Sequence, residues 1–314
     1  MLLTIVKTEL PMTSERCQEA VRRLRETYPF CRTRQIGTTA YGRPISALVI
    51  GEGERRVLYT AAHHANEWIT ATVLLKFAEE LAEAVSSGGK LFGVEAATLF
   101  RAATVHLVPM VDPDGVDLVT GATGIGTLEY EAARSLSDRY PAIPFPEGWK
   151  ANLLGVDLNL QYPAGWLQAR EIKFAQGYDR PGPRDYVGRA PLSQLESIAL
   201  AEYTEEVDPA LVLAYHTQGQ EIYWQFEDYL VPGARELGEE FARISGYALA
   251  DTPYASSFAG YKDWFIRRFR RPGYTVEAGL GQNPLPIEQF GEIYRDNIGI
   301  LVTAALGLPE QVSS

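Results

Sequence analysis

The chain has 314 residues and a mass of 34.8 kDa, which suits one large α/β domain or two average domains. Its 46% hydrophobic and 22% charged residues exclude a disordered or fibrous protein. A net charge of −11 argues against nucleic-acid or anionic-membrane partners, because such a surface repels phosphates. The two cysteines, Cys17 and Cys31, are too few for a disulfide framework and are typical of a reducing compartment.

The N-terminal run MLLTIV meets Lys7 without the long apolar core or the small-residue cleavage site of a secretory signal. No later run approaches the roughly 20 apolar residues of a membrane span. We therefore expect a cytoplasmic protein.

Strand-like and helix-like patterns alternate along the chain. Apolar runs predict strands at 56–62, 104–110, 210–216 and 274–278, whereas helical spacing predicts helices at 69–85, 233–245 and 286–306. This alternation favours one α/β sheet covered by helices on both faces.

Two stretches, 121–155 and 162–191, are rich in glycine and proline and show little periodicity. Long irregular segments within a compact domain are usually functional or disordered. We interpret them as loops over the mouth of a site, with surface decoration as the alternative.

The four histidines divide into two groups. His64 lies at a predicted strand end with Glu67 three residues later, and His216 ends another apolar strand. Two histidines and one glutamate with an open fourth position are typical of catalytic zinc. We expect His63 to be a neighbour of this site, and His106, in mid-strand, to be a hydrogen-bonded core histidine.

Six ordered blocks resemble the zinc carboxypeptidases of the metallocarboxypeptidase A family over residues 36–306. They are HHANEWIT (63–70), VDPDGV (111–116), GVDLNLQYPAGW (155–166), AYHTQG (214–219), GYKDWF (260–265) and YTVEAG (274–279). The runs at 149–152, 160–166 and 169–177 are similar to the bacterial branch that cleaves γ-D-glutamyl–diaminopimelate bonds in cell-wall peptides. The resemblance implies a single three-layer α/β/α catalytic domain over 1–314 with a mixed twisted sheet, in which 1–35 form a helical lead-in.

The resemblance also implies one Zn²⁺ per chain, held by His64, Glu67 and His216. It assigns Glu277, at the end of a buried strand, to deprotonate the attacking water and protonate the leaving amine. Asp157 matches the carboxylate that hydrogen-bonds the first zinc histidine.

Three positions depart from the family pattern. Asn159 is followed by Leu160, where carboxypeptidases that trim ordinary C-termini have an arginine that binds the terminal carboxylate. The family's carbonyl-polarising arginine aligns with Lys150, for which a solvent-facing position is an equal alternative. Tyr254 lies one residue out of register with a tyrosine that closes over substrate.

Basic residues near the expected site suggest an acidic substrate. Lys262 occupies the position that lines the base of the family's side-chain pocket, with a solvent-facing lysine as the alternative. Arg170, Lys173, Arg180 and Arg184 cluster in the second irregular stretch. They either form a solvated face or steer a substrate with several carboxylates, and we single out Arg184 as a substrate-binding residue.

The sequence thus predicts zinc-dependent hydrolysis of the γ-D-glutamyl–meso-diaminopimelate bond in murein peptides. The alternatives are a carboxypeptidase on ordinary peptides, a zinc deacylase of N-acyl amino acids, and a non-catalytic binder of wall fragments. The filled ligand and base positions disfavour the binder. Oligomeric state is left open.

Overall fold

A computed structural model of the chain describes residues 4–308, so the first three residues of the MLLTIV run lie outside it. Ten strands are present in this range: β1 (Arg32–Thr38), β2 (Pro44–Gly51), β3 (Arg55–Thr60), β4 (Lys90–Leu91), β5 (Val94–Glu95), β6 (Ala103–Val108), β7 (Leu211–His216), β8 (Glu221–Tyr223), β9 (Ala248–Ala250) and β10 (Gly273–Glu277). The α-helices of the same range are α1 (Ser14–Thr27), α2 (Ile69–Ser87), α3 (Ala96–Ala102), α4 (Pro113–Val119), α5 (Leu128–Ser137), α6 (Trp166–Ala175), α7 (Leu195–Val207), α8 (Ala234–Ser245), α9 (Tyr261–Phe269) and α10 (Phe290–Leu306).

Eight strands form one mixed sheet in the order β1-β2-β6-β3-β7-β10-β8-β9, while β4 and β5 form a separate hairpin. The central strands β6, β3, β7 and β10 run parallel. The pairs β1–β2, β2–β6 and β8–β10 are antiparallel, and the edge strand β9 runs parallel to β8. The parallel centre brings the carboxyl ends of β3, β7 and β10 to one edge, where ligand sites form in open α/β sheets.

Helices cover both faces of this sheet, because its strands are buried on both sides. Along β7, Leu213 and Tyr215 belong to a core shared with α2, α8 and α10. The alternate residues Val212 and Ala214 belong to a second core with α7 and α9. The prediction of a three-layer α/β/α fold with a mixed sheet is therefore confirmed.

The predicted elements occur with small shifts at their ends, but the irregular stretches were predicted incorrectly in part. Helix α5 lies inside 121–155 and α6 inside 162–191. Only Ala133 and Ser137 of α5 are buried, so this helix presents no apolar stripe in the sequence. In α6 the buried residues are Ala169 and Lys173. Because one of them is a lysine, the buried face of α6 does not appear as a repeat of apolar residues in the sequence either.

The N-terminal lead-in carries helix α1, which packs against the rest of the domain. The Ser14 hydroxyl donates to Asp117 Oδ2 at 2.5 Å, and Arg43 Nε donates to the same oxygen at 2.7 Å. Cys17 and Cys31 are buried free thiols. Within residues 4–308, no helix combines the length and the apolar character needed to cross a membrane.

Candidate active site

Three side chains from two strand ends converge on one point. His64 follows β3 and precedes the short 3-10 turn Ala65–Glu67, whereas His216 is the last residue of β7. The Nδ1 atoms of His64 and His216 lie 2.9 Å from Oε1 and Oε2 of Glu67, respectively, and 3.1 Å from each other. All three side chains are buried.

This donor set fits a zinc ion. Two imidazole nitrogens and a carboxylate within 4.8 Å of one another supply the nitrogen and oxygen ligands that Zn²⁺ prefers and leave a fourth position open. Burial would raise the pKa of Glu67, but His64 and His216 outweigh it and hold that pKa well below the usual value. The site therefore keeps the carboxylate in the charged form that a cation needs.

His63 lies beside this group and is not part of it. Its ring stacks on His216 at 5.4 Å, and neither ring nitrogen has a hydrogen-bond partner in residues 4–308. His106 lies in β6, away from the site, and its Nδ1 is 2.7 Å from the Tyr203 hydroxyl.

Asp157 connects His64 to the cation of Lys150. Its Oδ1 lies 3.2 Å from His64 Nε2, and its Oδ2 lies 3.3 Å from Lys150 Nζ. Burial opposes ionisation of Asp157, yet Lys150 and His64 hold its pKa well below the usual value. A carboxylate in this position makes His64 Nε2 the donor and leaves Nδ1 free to bind a metal.

Lys150 does not point to solvent, because its side chain is only 21% exposed. It lines a cavity whose wall also includes His64 and Glu67. Burial lowers the pKa of Lys150, but Asp157 and Asp185 outweigh that effect and raise it. The Lys150 ammonium therefore stays protonated and places a positive charge beside His64 and Glu67.

Glu277 ends β10 and is the direct neighbour of His216 on the parallel strand β7. Its side chain lines the same cavity. Burial, together with the charge of Glu67, raises the pKa of Glu277 to about 8. A carboxyl group with a raised pKa is suited to exchanging protons near neutral pH.

The cavity has a volume of about 530 Å³, and Lys262 lies in its wall. Lys262 is buried, and its Nζ donates to Asp263 Oδ1 at 2.6 Å and to the Gln225 carbonyl at 2.5 Å. The solvent-facing alternative for Lys262 is therefore wrong. The cavity wall contains the Lys262–Asp263 ion pair.

Of the four basic residues in the second irregular stretch, Arg184 lines the cavity. Its Nε donates to Asp185 at 2.5 Å, and Lys173 Nζ lies 2.7 Å from the other oxygen of that carboxylate. Arg180 pairs with Asp179 at the surface, and Arg170 lies over the Phe174 ring.

The two other predicted substrate-binding residues, Tyr254 and Asn159, differ in their position relative to the cavity. Tyr254 is 67% exposed, its hydroxyl accepts a hydrogen bond from Gln168 Nε2 at 2.8 Å, and it is not in the cavity wall. A contact of Tyr254 with bound substrate stays a prediction. Asn159 does line the cavity, and its Oδ1 accepts a hydrogen bond from the Tyr261 backbone N–H at 2.9 Å. The neighbouring Leu160 is buried in an apolar core.

Sequence reasoning missed Tyr223 in the cavity wall and Asp263 and Asp185 as partners of the cations. The alternation of Glu221, Ile222 and Tyr223 is a signal for a strand with one polar face. The aspartates carry no signal of their own, because each simply follows a basic residue in sequence.

Comparison with known proteins agrees with this geometry. Residues 17–299 match the zinc carboxypeptidase family. The chain is 43% identical over 284 residues to gamma-D-glutamyl-L-diamino acid endopeptidase 1 of Lysinibacillus sphaericus, which covers 90% of this chain and 69% of that protein.

Solved structures share the fold at low identity. Bovine thrombin-activatable fibrinolysis inhibitor, in complex with tick carboxypeptidase inhibitor, superposes with a TM-score of 0.72 at 17% identity, covering 95% of this chain and 97% of that chain. Murein-tripeptide amidase MpaA from Escherichia coli O157 gives a TM-score of 0.55 at 20% identity, covering 89% and 93%. From the extent of the family match, the conserved fold and the His-Glu-His donor set together, the chain belongs to the zinc carboxypeptidase family.

Proposed function

We propose that this protein hydrolyses the amide bond between γ-D-glutamate and meso-diaminopimelate in murein peptides, with one zinc ion per chain. The observation that carries the proposal is a single cavity lined by His64, Glu67 and Glu277 together with three basic side chains, next to the buried His216 of the triad. These are Lys150, Arg184 and Lys262, in a protein whose net charge is −11. The name of the relative at 43% identity supports the same substrate class.

The chain's own residues divide the chemistry between them. Zinc held by His64, Glu67 and His216 would supply Lewis acidity, which polarises a carbonyl and lowers the pKa of water toward ~7. Glu277 takes a proton from the attacking water and delivers it to the amide nitrogen, so that the C–N bond breaks to a carboxylate and an amine. Lys150 places positive charge where the carbonyl oxygen becomes negative.

The remaining charges select the substrate. A γ-D-glutamyl–diaminopimelate peptide carries a carboxylate on each side of the scissile bond and another at the far end of diaminopimelate. Arg184 and Lys262 line the cavity as partners for such groups. Because each is already paired with an aspartate, the cavity favours a ligand with both signs of charge over a simple polyanion.

A carboxypeptidase on ordinary peptides is the second candidate, since it has the same family chemistry. Against it, the Lys262–Asp263 pair lies where an apolar C-terminal side chain would lose water without gaining a partner. A deacylase of N-acyl amino acids and a non-catalytic wall-peptide binder have less support, because the cavity is polar and the metal-ligand and base positions are filled.

The proposal includes a cytoplasmic location, where soluble wall peptides are met during recycling. Its support is the pair of buried free thiols, Cys17 and Cys31. Cell fractionation with antibodies to the native protein tests this part, and recovery from the culture medium would contradict it.

The substrate proposal is tested by kinetics on two peptides with the zinc-loaded protein. L-Ala-γ-D-Glu-meso-diaminopimelate should release free diaminopimelate, whereas a peptide ending in L-Phe should not be cleaved at a comparable kcat/KM. Faster cleavage of the Phe peptide would replace the proposal with the carboxypeptidase. No turnover of either peptide would favour the deacylase or the binder.

A further inference from the structure

Four polar side chains share the face of the sheet that borders the cavity. In the antiparallel pair of β8 and β10, Glu221 lies opposite Glu277 and Tyr223 lies opposite Thr275. The alternate residues Ile222 and Val276 point into the apolar core on the other face. Side chains two residues apart on a strand, and those directly opposite across a pair, point to the same side. Tyr223, Thr275 and Glu277 accordingly line the cavity together.

Tyr223 and Glu221 form a hydrogen-bonded unit. The Tyr223 hydroxyl donates to Glu221 Oε2 at 2.5 Å. Since the only proton of the phenol is used in that bond, its oxygen can meet a ligand only as a hydrogen-bond acceptor. No donor in residues 4–308 binds this oxygen. Burial and the bond to Glu221 raise the pKa of Tyr223, which keeps the phenol neutral and the bond in place.

Tyr223 therefore brings an acceptor to the wall, and the negative charge of Glu221 lies directly behind it. No cation within residues 4–308 pairs with that charge. Within residues 4–308 Glu221 makes no salt bridge, in contrast to Lys262, whose charge is balanced by Asp263. A ligand group that donates hydrogen bonds and carries positive charge fits here, and the ammonium of a diamino acid side chain is such a group.

We propose that Glu221 and Tyr223 form the subsite for the distal ammonium of the substrate's diamino acid, while Lys262 receives the distal carboxylate. This inference rests on the proposed function and adds the residues that distinguish a diamino acid from an acidic one. The two halves of the subsite differ in character: the Lys262–Asp263 pair offers a donor at the pocket wall, and the Tyr223 oxygen offers an acceptor backed by the carboxylate of Glu221.

The alternative role for Glu221 is to position Glu277 or to tune it, because the two lie opposite each other. That role would affect every substrate equally, since Glu277 acts on the amide bond and not on the side chain. Selectivity between two side chains at a common bond therefore separates the roles, because the contribution of the base cancels in the ratio.

The test compares two tripeptides that differ only in the distal amine. One is L-Ala-γ-D-Glu-meso-diaminopimelate, and the other has L-2-aminopimelate, which keeps the distal carboxylate and lacks the distal amine. The wild-type zinc-loaded protein should prefer the diaminopimelate peptide roughly 10- to 100-fold in kcat/KM, the range expected for one charged hydrogen bond. Glu221→Gln should remove most of this preference by slowing the diaminopimelate peptide alone, and Tyr223→Phe should reduce it.

The matched controls are Glu227→Gln and Tyr229→Phe, which alter the same residue types a few positions away and outside the cavity wall. Both should keep the wild-type preference. A preference that survives in Glu221→Gln would overturn the subsite, as would an equal loss on both peptides, which would assign Glu221 to Glu277 instead. Failure of the wild type to cleave either peptide is a different result and would count against the proposed function itself.

Discussion

Replacing Asp157 by asparagine should weaken zinc binding, because this carboxylate orients His64. Its Oδ1 faces His64 Nε2 at 3.2 Å and the Asn159 N–H at 3.1 Å. Its Oδ2 faces the Asp185 N–H and Lys150 Nζ, each at 3.3 Å. All four partners are donors when His64 binds metal through Nδ1, so both oxygens of Asp157 act only as acceptors.

An asparagine has one acceptor oxygen and one NH₂ group. Whichever way the amide is turned, its NH₂ group faces two donors, and the negative charge that supports the imidazole is lost. Loss of such a partner lowers metal affinity by about 10- to 100-fold, or roughly 1.4–2.7 kcal/mol. The unpaired buried donors should also lower the free energy of unfolding of the metal-free protein by about 1–3 kcal/mol.

Zinc affinity is measured by competition with a chromophoric chelator, and unfolding by urea with the metal removed. Asp179→Asn is the control, because Asp179 is exposed and its salt bridge within residues 4–308 is with the adjacent Arg180. It should leave both quantities unchanged. An Asp157→Asn protein that binds zinc as tightly as the wild type would refute the role given to this carboxylate.

Three further predictions concern the base, a buried acid and the missing arginine. Glu277→Gln should lower kcat about 10²- to 10⁴-fold, measured on the diaminopimelate peptide, while zinc content by elemental analysis stays the same. Burial, aided by Asp114, raises the pKa of Glu196 from 4.5 to about 7. Below pH 4.5 this carboxyl is protonated in both the folded and the unfolded protein, and the wild type loses stability as the pH rises from 4.5 to 7. In urea unfolding, the free energy of unfolding of Glu196→Gln should therefore match that of the wild type near pH 4.5 and be about 3 kcal/mol higher above pH 7. Leu160→Arg should lower the free energy of unfolding by at least about 3 kcal/mol without creating activity on the Phe peptide, because the side chain is buried among apolar residues.

Each of these predictions has an outcome that contradicts it. A near wild-type kcat in Glu277→Gln would show that Glu277 is not the base. A lower zinc content in this variant would attribute the loss of activity to the missing metal and contradict the prediction. A stability difference for Glu196→Gln that is the same at pH 4.5 and pH 8 would show that its carboxyl does not titrate in this window. A stable Leu160→Arg protein that cleaves the Phe peptide would show that position 160 can contact the substrate.

The fold and the clustering of the candidate metal ligands were predictable because their signals are local and ordered. His216 and Glu277 end apolar runs and His64 closely follows one, with Glu67 three residues later, and parallel strands bring such ends to one edge. Fixed backbone geometry thus converts positions along the chain into positions in space.

The substrate-facing residues were harder to predict because they depend on contacts between distant segments. Tyr254 is a tyrosine near the expected position, yet its ring lies outside the cavity wall. The pairing of Lys262 with Asp263, and the burial of Leu160, follow from the packing of α9 and its neighbours. No pattern of residue types along the chain specifies how a loop places one side chain.

The central claim is that zinc-bound protein breaks the γ-glutamyl C–N bond with Glu277 as the base. The most direct measurement is mass spectrometry of the products of L-Ala-γ-D-Glu-meso-diaminopimelate formed in H₂¹⁸O. We expect one ¹⁸O atom in the γ-carboxylate of L-Ala-D-Glu and none in the released diaminopimelate, with product absent for Glu277→Gln and for the metal-free protein. Label in an L-Ala or D-Glu fragment cleaved at another bond, or equal product from Glu277→Gln, would contradict the account.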